Sequence, residues 1–496
     1  MNLELPVPRH MLSPGDDGYR TPTIEDTQRD LSFQHENLCT YPSAGATVSE
    51  AHTSALENVY RTFSRKPQGD EAGLDDVTLP RSESGHSPSN LSWKKRIRHI
   101  TWAFFTLTMA TGGIANALYN SITPVSFKMD WDVLTPRAVP YRFRGLDTIG
   151  IVFFMFNIAL YLMIWGLLLA RFYFYPYTFK ASFLHPTESL FVPASMVSFG
   201  TILINISQYG PSHSMPWLAE AVRLLFWIDA GLAVVFSAGI YLLLWSTQTF
   251  TIAQMTPIWI FPAYPMLIIG PHAGILSEKL DPLISLRIII GGTTIQGVGF
   301  LVSLMVYSAF IYRLMSQKLP RENVRPGMFV SVGPSAFTVA GIVNMADHAK
   351  RCFPADFMGN GALAADVLKV VVDFSALWLW GLAIFFFFIA SGAHWSVIGP
   401  GRLVFSMAWF SFIFPNTALV TATFAIGKAF SCKPILIIGC AMVMFLVLMY
   451  FFVFYMMVRA IVLKQILWPQ KGEDKDEGGF EVHQIKPESD EEQTPV

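Results

Sequence analysis

Charged side chains are scarce in this chain. Asp, Glu, Lys and Arg make up 14% of its 496 residues, whereas a soluble domain carries about 25%. That deficit excludes a water-facing surface over the whole molecule. With 52% hydrophobic residues, lipid takes the place of water around most of it. No sign of charge dominates either: the net is −1, so a nucleic-acid partner has no electrostatic footing. Cysteine is rare. Cys39, Cys352, Cys432 and Cys440 form no CxxC pair and join no histidine at metal-ligand spacing, so no metal site and no cofactor are expected. Cys352 and Cys432 fall in loops on one side of the expected topology, but spacing cannot fix the geometry of a bridge. The N-terminus lacks the apolar core of a signal peptide.

What is present divides into three parts. Residues 1–92, rich in Pro, Ser, Glu and Arg, read as a disordered cytoplasmic tail. In it Ser64, Ser82 and Ser87 stand where phosphorylation would add negative charge. Residues 469–496 hold nine acids against three lysines and read as a solvated acidic tail. Between them, 93–468 reads as one all-α membrane domain. A bilayer crossing needs roughly 20 mostly apolar residues. Ten stretches approach that, near 99–120, 147–170, 187–206, 217–245, 257–276, 284–312, 326–347, 363–390, 402–426 and 434–463.

The odd and even stretches differ. Pro193 lies in the third, Pro257, Pro262 and Pro265 in the fifth, Pro334 in the seventh and Pro415 in the ninth, while the first has Gly112-Gly113. The even stretches have no interior proline. A proline frees a carbonyl and kinks a helix, and in lipid a freed group must meet protein or water. The pattern predicts five helical hairpins, each a Pro/Gly-broken helix paired with a smooth one, with the broken helices lining a central pore. Lys and Arg near the membrane number 14 on one side and 10 on the other, which places both termini in the cytosol.

Fixed charge is nearly absent from the middle of the odd stretches. They carry hydroxyls, amides and breaks instead: Thr108, Thr111, Gly112, Gly113, Ser195, Ser198, Pro262, Ser331, Pro334, Ser335, Thr338, Pro415, Asn416 and Thr417. Such groups, with the positive ends of broken helices, can replace an anion's hydration without a deep well. Each one taken alone fits a backbone-bonded or helix-packing role as well. Arg223 and Asp229 in the fourth stretch, and Asp366, Lys369 and Asp373 in the eighth, suit helix pairing or proton coupling. His272, after a Gly-Pro pair, could carry a proton. The run Trp409-Phe-Ser-Phe-Ile-Phe-Pro-Asn416 fits a packed aromatic stripe, or a ring blocking the centre.

Several stretches resemble a known family: HITWAFFTLTMATGGIA (99–115), YRFRGLDTIG (141–150), TPIWIFPAYP (256–265), RPGMFVSVGPSAFTVAGIVNMA (325–346) and WFSFIFPNTALV (409–420). The chain is similar there to the tellurite-resistance/dicarboxylate transporter, or slow-anion-channel, family, and within it to the fungal malic acid transport proteins. The resemblance implies ten helices as five hairpins, one pore per subunit and a homotrimer. It also implies a phenylalanine gate in the ninth helix, here Phe414, and transport of malate, succinate and related acids at the plasma membrane, by proton-coupled uptake or channel-like export. The loop Ser121–Pro140, with Asp130, Trp131 and Asp132, looks longer than in yeast-type members and bears on substrate choice. A sulfite or other inorganic-anion exporter of the same fold is the close rival. A membrane-embedded enzyme would need a dense His, Asp or Cys constellation at membrane depth, and His99, His272 and His394 are isolated in sequence. A receptor would not need alternate breaks.

Overall fold

The computed structural model describes residues 93–122, 145–210, 216–247, 251–395 and 405–467. Both tails with their serines, Cys39, residues 123–144 of the long loop and Arg402 lie outside the described residues. Every regular element among those described is a helix. We number the long ones α1 (Phe105–Ile122), α2 (Leu146–Phe174), α3 (Glu188–Tyr209), α4 (Pro216–Thr247), α5 (Pro257–Ser277), α6 (Pro282–Gln317), α7 (Glu322–Cys352), α8 (Gly361–Trp395), α9 (Met407–Ala429) and α10 (Lys433–Val462). The nine from α2 to α10 are long and apolar enough to cross a bilayer, and α1 has 18 residues. The chain is a multi-pass, all-α integral membrane protein.

Broken and smooth helices separate as the proline pattern predicts. In the most apolar stretch of α3, α5, α7 and α9, 83%, 89%, 89% and 94% of residues are buried; in α2, α4, α6, α8 and α10 the shares are 28%, 33%, 33%, 22% and 28%. Pro193, Pro262, Pro334 and Pro415 are all buried. The odd helices close a ring, with α1 against α3, α3 against α5, α5 against α7, α7 against α9 and α9 against α1. Each even helix packs from outside on two members of that ring. Its free face shows large apolar side chains, among them Leu162, Val235, Met305, Phe388 and Met444, as contact with lipid requires.

The breaks differ from the expected mid-helix kinks. Each odd helix has a short lead-in and then a regular α-segment. The lead-ins are tight turns over Trp102–Phe104, Pro257–Ala263, Glu322–Val332 and Met407–Phe412, and a single turn at Glu188–Phe191 in α3. The α-segments begin at Phe105, Ala194, Tyr264, Gly333 and Phe414. Pro265, Pro334 and Pro415 stand second in theirs, within the first turn, and Pro193 just before one. There a missing N–H costs nothing and the fixed φ favours the first turn. The five lead-ins also touch one another in a closed cycle, so the five breaks lie at one level. In α1 the break falls at Trp102–Phe104; the helix runs unbroken through Gly112-Gly113, which corrects the reading of that pair as its break. Helix α5 likewise continues through Pro271, so no break falls at the Gly-Pro pair before His272. Cys352 and Cys432 are free thiols.

One ion pair anchors the lead-in ring. Arg171, near the end of α2, meets Glu188, at the start of α3, at 2.6 Å, with both side chains essentially inaccessible. Arg171 also donates to Ile100 O at 2.8 Å, and Ser182 Oγ donates to Glu188 Oε1 at 2.9 Å. The pair thus ties α2, α3 and the approach to α1 together. Burial, with Arg98 and Arg171 nearby, pushes His99 down to about 4, so at neutral pH it adds no further positive charge beside the guanidinium. Removing one member of a buried pair strands a charge and costs about 3–5 kcal/mol, while replacing both with apolar residues is often tolerated. Arg171→Met alone is expected to lower the melting temperature sharply in detergent. The double change with Glu188→Leu should recover most of the loss, and thermal-shift measurement on the three proteins checks this.

Candidate functional site

The α-segments place a three-ring cluster at the level of the breaks. Phe414 is 3% exposed. Its ring centre lies 5.2 Å from that of Phe337 on α7 and 6.0 Å from that of Tyr264 on α5. Phe337 and Tyr264 meet edge-to-face at 6.1 Å, within the range where aromatic pairs attract beyond their buried area. Phe414 thus sits where three inner helices meet, and not in a stripe along α9. Tyr264 and Phe337 were not singled out from sequence, although a signal existed. Tyr264-Pro265 repeats in α5 the aromatic-before-proline pattern of Phe414-Pro415 in α9.

Tyrosine hydroxyls complete the broken backbone. Val330 O, four residues before Pro334, takes the Gly333 N–H in the tight turn, and Tyr264 OH donates to the same carbonyl at 2.5 Å. Next to it, Tyr307 OH from α6 donates to Ser331 O at 2.6 Å. In α5, Trp259 O receives the hydroxyl of Tyr241 from α4 at 2.9 Å. Carbonyls left over by the lead-ins are therefore bonded by protein, as a low-dielectric setting demands.

The expected lining residues divide by direction. Thr108 and Ser198 come together, with oxygens 2.6 Å apart, and both lie within bonding distance of Phe105 O. Ser195 bonds Val192 O, Ser331 bonds Met328 O, and Thr417 bonds Phe414 O. Asn416 donates to Phe412 O at 2.9 Å, and its Oδ1 has no partner. Thr111 and Thr338 face outward. Thr111 lies 2.9 Å from Tyr450 OH on α10, and Thr338 receives Gln296 Nε2 from α6 at 2.8 Å. Ser335, Pro262, Pro334 and Pro415 are buried. A hydroxyl has one proton to give. Except for Ser335, each of these hydroxyls is within reach of a main-chain carbonyl, on its own helix or, for Ser198, on α1, so in this conformation they are not free donors for an anion. The first N–H groups of the α-segments, such as those of Phe105, Ser195, Tyr264 and Gly333, donate to lead-in carbonyls, so what each segment start offers an anion is the positive end of its dipole.

Of the charges singled out on even helices, all but Asp229 pair. Lys369 meets Asp373 at 2.8 Å and also Asp347 of α7, and Lys350 meets Asp366 at 3.2 Å. These contacts clip α7 to α8. Arg223 pairs with Glu220 on an exposed face of α4. His272 is fully buried, its Nε2 3.2 Å from Ser207 Oγ and its ring against Phe226. Asp229 is buried without a partner for its Oδ2. Asn157 of α2, not anticipated, has neither amide atom bonded.

The Gly112-Gly113 pair is a point of close approach. A Cβ on Gly112 would lie 2.6 Å from Asn157 Nδ2, and one on Gly113 would lie 2.7 Å from Thr417 Oγ1 and 2.9 Å from its Cγ2. The pair lets α1 sit against both α2 and α9.

Residues 99–458 match the family model of the voltage-dependent anion channels (SLAC1), and the chain belongs to that family. It is 30% identical over 381 residues to a malic acid transport protein of Schizosaccharomyces pombe, covering 77% of this chain and 82% of that protein. A putative malic acid transport protein of the same yeast is 28% identical over 387 residues. A sulfite efflux pump of Trichophyton rubrum is 24% identical over 335 residues, 67% of this chain and 82% of the pump.

Helix propensity alone favours Ala over Gly by about 1 kcal/mol, whereas overpacking costs about 1–3 kcal/mol. Gly113→Ala is expected to lower the melting temperature despite its better propensity, and Thr417→Ala in the same chain should restore it. Thermal unfolding of the single and double variants tests the contact.

Proposed function

We propose that this chain carries four-carbon dicarboxylates, malate and succinate among them, across the plasma membrane through the middle of the odd-helix ring. The reading takes α1 as a tenth crossing, the chain as five hairpins with both termini in the cytosol, and the assembly as a homotrimer. The observation that carries it is the pair of stacked closed rings, lead-ins and α-segments, with five helix N-termini at one level. An N-terminus favours negative charge by its dipole. Five around one axis make a place where an anion can pause without a fixed cation to hold it. The 30% identity to a malic acid transport protein over 77% of the chain supports a dicarboxylate as that anion.

Phe414, backed by Phe337 and Tyr264, is the gate in this reading. Rings packed across a narrow apolar path exclude ions by size and by drying it. Opening requires the Phe414 ring to swing past its two neighbours, at the cost of aromatic contacts of about 0.5–1.5 kcal/mol each beyond burial. That is small enough for thermal opening and large enough to bias the closed state. Thr108, Ser198, Asn416 and Thr417 become ligands only once their protons turn inward. Sulfite efflux is a second reading, supported by the 24% identity to a sulfite pump.

Phe414→Ala is expected to raise basal anion current several-fold at unchanged surface expression, and Phe337→Ala to raise it less. Patch-clamp recording with defined anions reads both. Labelled malate uptake set against sulfite efflux in the same cells separates the substrates: malate flux without sulfite flux supports the dicarboxylate reading, and the reverse overturns it.

A further inference from the structure

Three acidic side chains are buried among the described residues: Glu188, Asp373 and Asp229. Glu188 is held by Arg171 and Asp373 by Lys369. Asp229 is different. It lies in the interior of α4, is 1% exposed, and its Oδ2 has no hydrogen-bond partner. The carboxyl is wedged against the inner ring: a Cβ on Gly200 of α3 would lie 3.2 Å from Oδ2 and 3.0 Å from Ile268 of α5. A side chain at position 200 would press on both.

The groups around it offer no counter-charge. On α4 itself Glu220 and Arg223 neutralise each other at the exposed end, and Tyr241 gives its hydroxyl to Trp259 O. From α3, Gly200 faces the carboxyl, and Glu188 lies at the far end of that helix in its own ion pair. From α5 the titratable groups are Tyr264, bonded to Val330 O, and His272, which packs on Phe226 three residues before Asp229. From α2, Tyr161 lies within electrostatic reach. Lys180 on the short helix Tyr177–Leu184 and Arg287 on α6 are exposed.

An ionised carboxylate with no partner in such surroundings is so costly that the group takes up a proton instead. We propose that Asp229 is a proton-binding site coupled to the anion path through α3, with its carboxyl neutral in the present conformation and its proton released and regained as α3 moves during transport. The step is a simple exchange, COOH to COO⁻ plus a proton delivered to water. The anionic form fits only if the α3–α4–α5 wedge opens to water. Because Gly200 shares α3 with Ser198 and Thr201, that opening shifts one wall of the path. The proposal rests on the transport reading above and names its coupling residue.

The test uses the full chain in proteoliposomes at neutral pH, where malate is a dianion, with labelled malate and a trapped pH dye read together. Wild type should move protons with malate. Asp229→Asn should keep malate flux within a few-fold and lose the accompanying proton movement, and Asp229→Glu should restore it. Proton movement in Asp229→Asn equal to wild type overturns the proposal and leaves the transport reading standing. Absence of malate flux in the wild type overturns the transport reading instead. Infrared spectroscopy of the purified protein is independent of flux. A protonated-carboxyl band at neutral pH should vanish in Asp229→Asn, or shift in Asp229→Glu if the Asn variant does not reach the membrane. A band unchanged by the substitution, or absent in wild type, overturns the assignment.

Discussion

The whole arrangement depends on one constraint: a main-chain carbonyl that loses its helical partner inside a bilayer must find another within the protein. Without one it costs several kcal/mol, as an order of magnitude. Proline and tight-turn geometry create such carbonyls in α3, α5, α7 and α9. Tight-turn N–H groups such as that of Gly333 take some of them, and hydroxyls of neighbouring helices reach others, Tyr307 at Ser331 O and Tyr241 at Trp259 O. A helix that needs such help cannot face lipid. The inner position of the odd helices follows, and the even helices follow in turn as the layer that supplies both hydroxyls and a greasy exterior.

The division between inner and outer helices was legible in the sequence because it rests on that constraint and on prolines inside four of the five odd stretches and none inside the even ones. The form of the breaks was not. A proline in the middle of an apolar stretch reads the same whether it kinks a helix or begins one after a tight lead-in. Only the closed cycle of lead-ins shows which holds. The role of Gly112-Gly113 was hidden for a similar reason. Two glycines in a membrane helix mark either a bend or a close approach, and here the deciding neighbours, Asn157 and Thr417, are far away in sequence.

The site was less legible than the fold. Hydroxyl content predicts a polar wall but not its direction, so Thr111 and Thr338, turned to α10 and α6, look the same in sequence as Thr108 and Ser198. Charges were easier to notice than to interpret. Lys369 stood within helical reach of Asp373, but its bond to Asp347 across two helices required the fold. The pair Arg171–Glu188 is the plainest omission: each residue lies at a helix end, where a charge usually means contact with water, and only burial reveals the bond.

The hydroxyls have a further consequence. With their protons turned toward main-chain carbonyls, Thr108, Ser331 and Thr417 on their own helices and Ser198 on α1, these side chains present lone pairs to their surroundings. A surface of lone pairs repels an anion. One bond rotation per side chain reverses its polarity, without moving the backbone and in far less time than a ring flip. The same wall can therefore be hostile when dry and welcoming when wet, which makes hydration a second lock in series with the aromatic one.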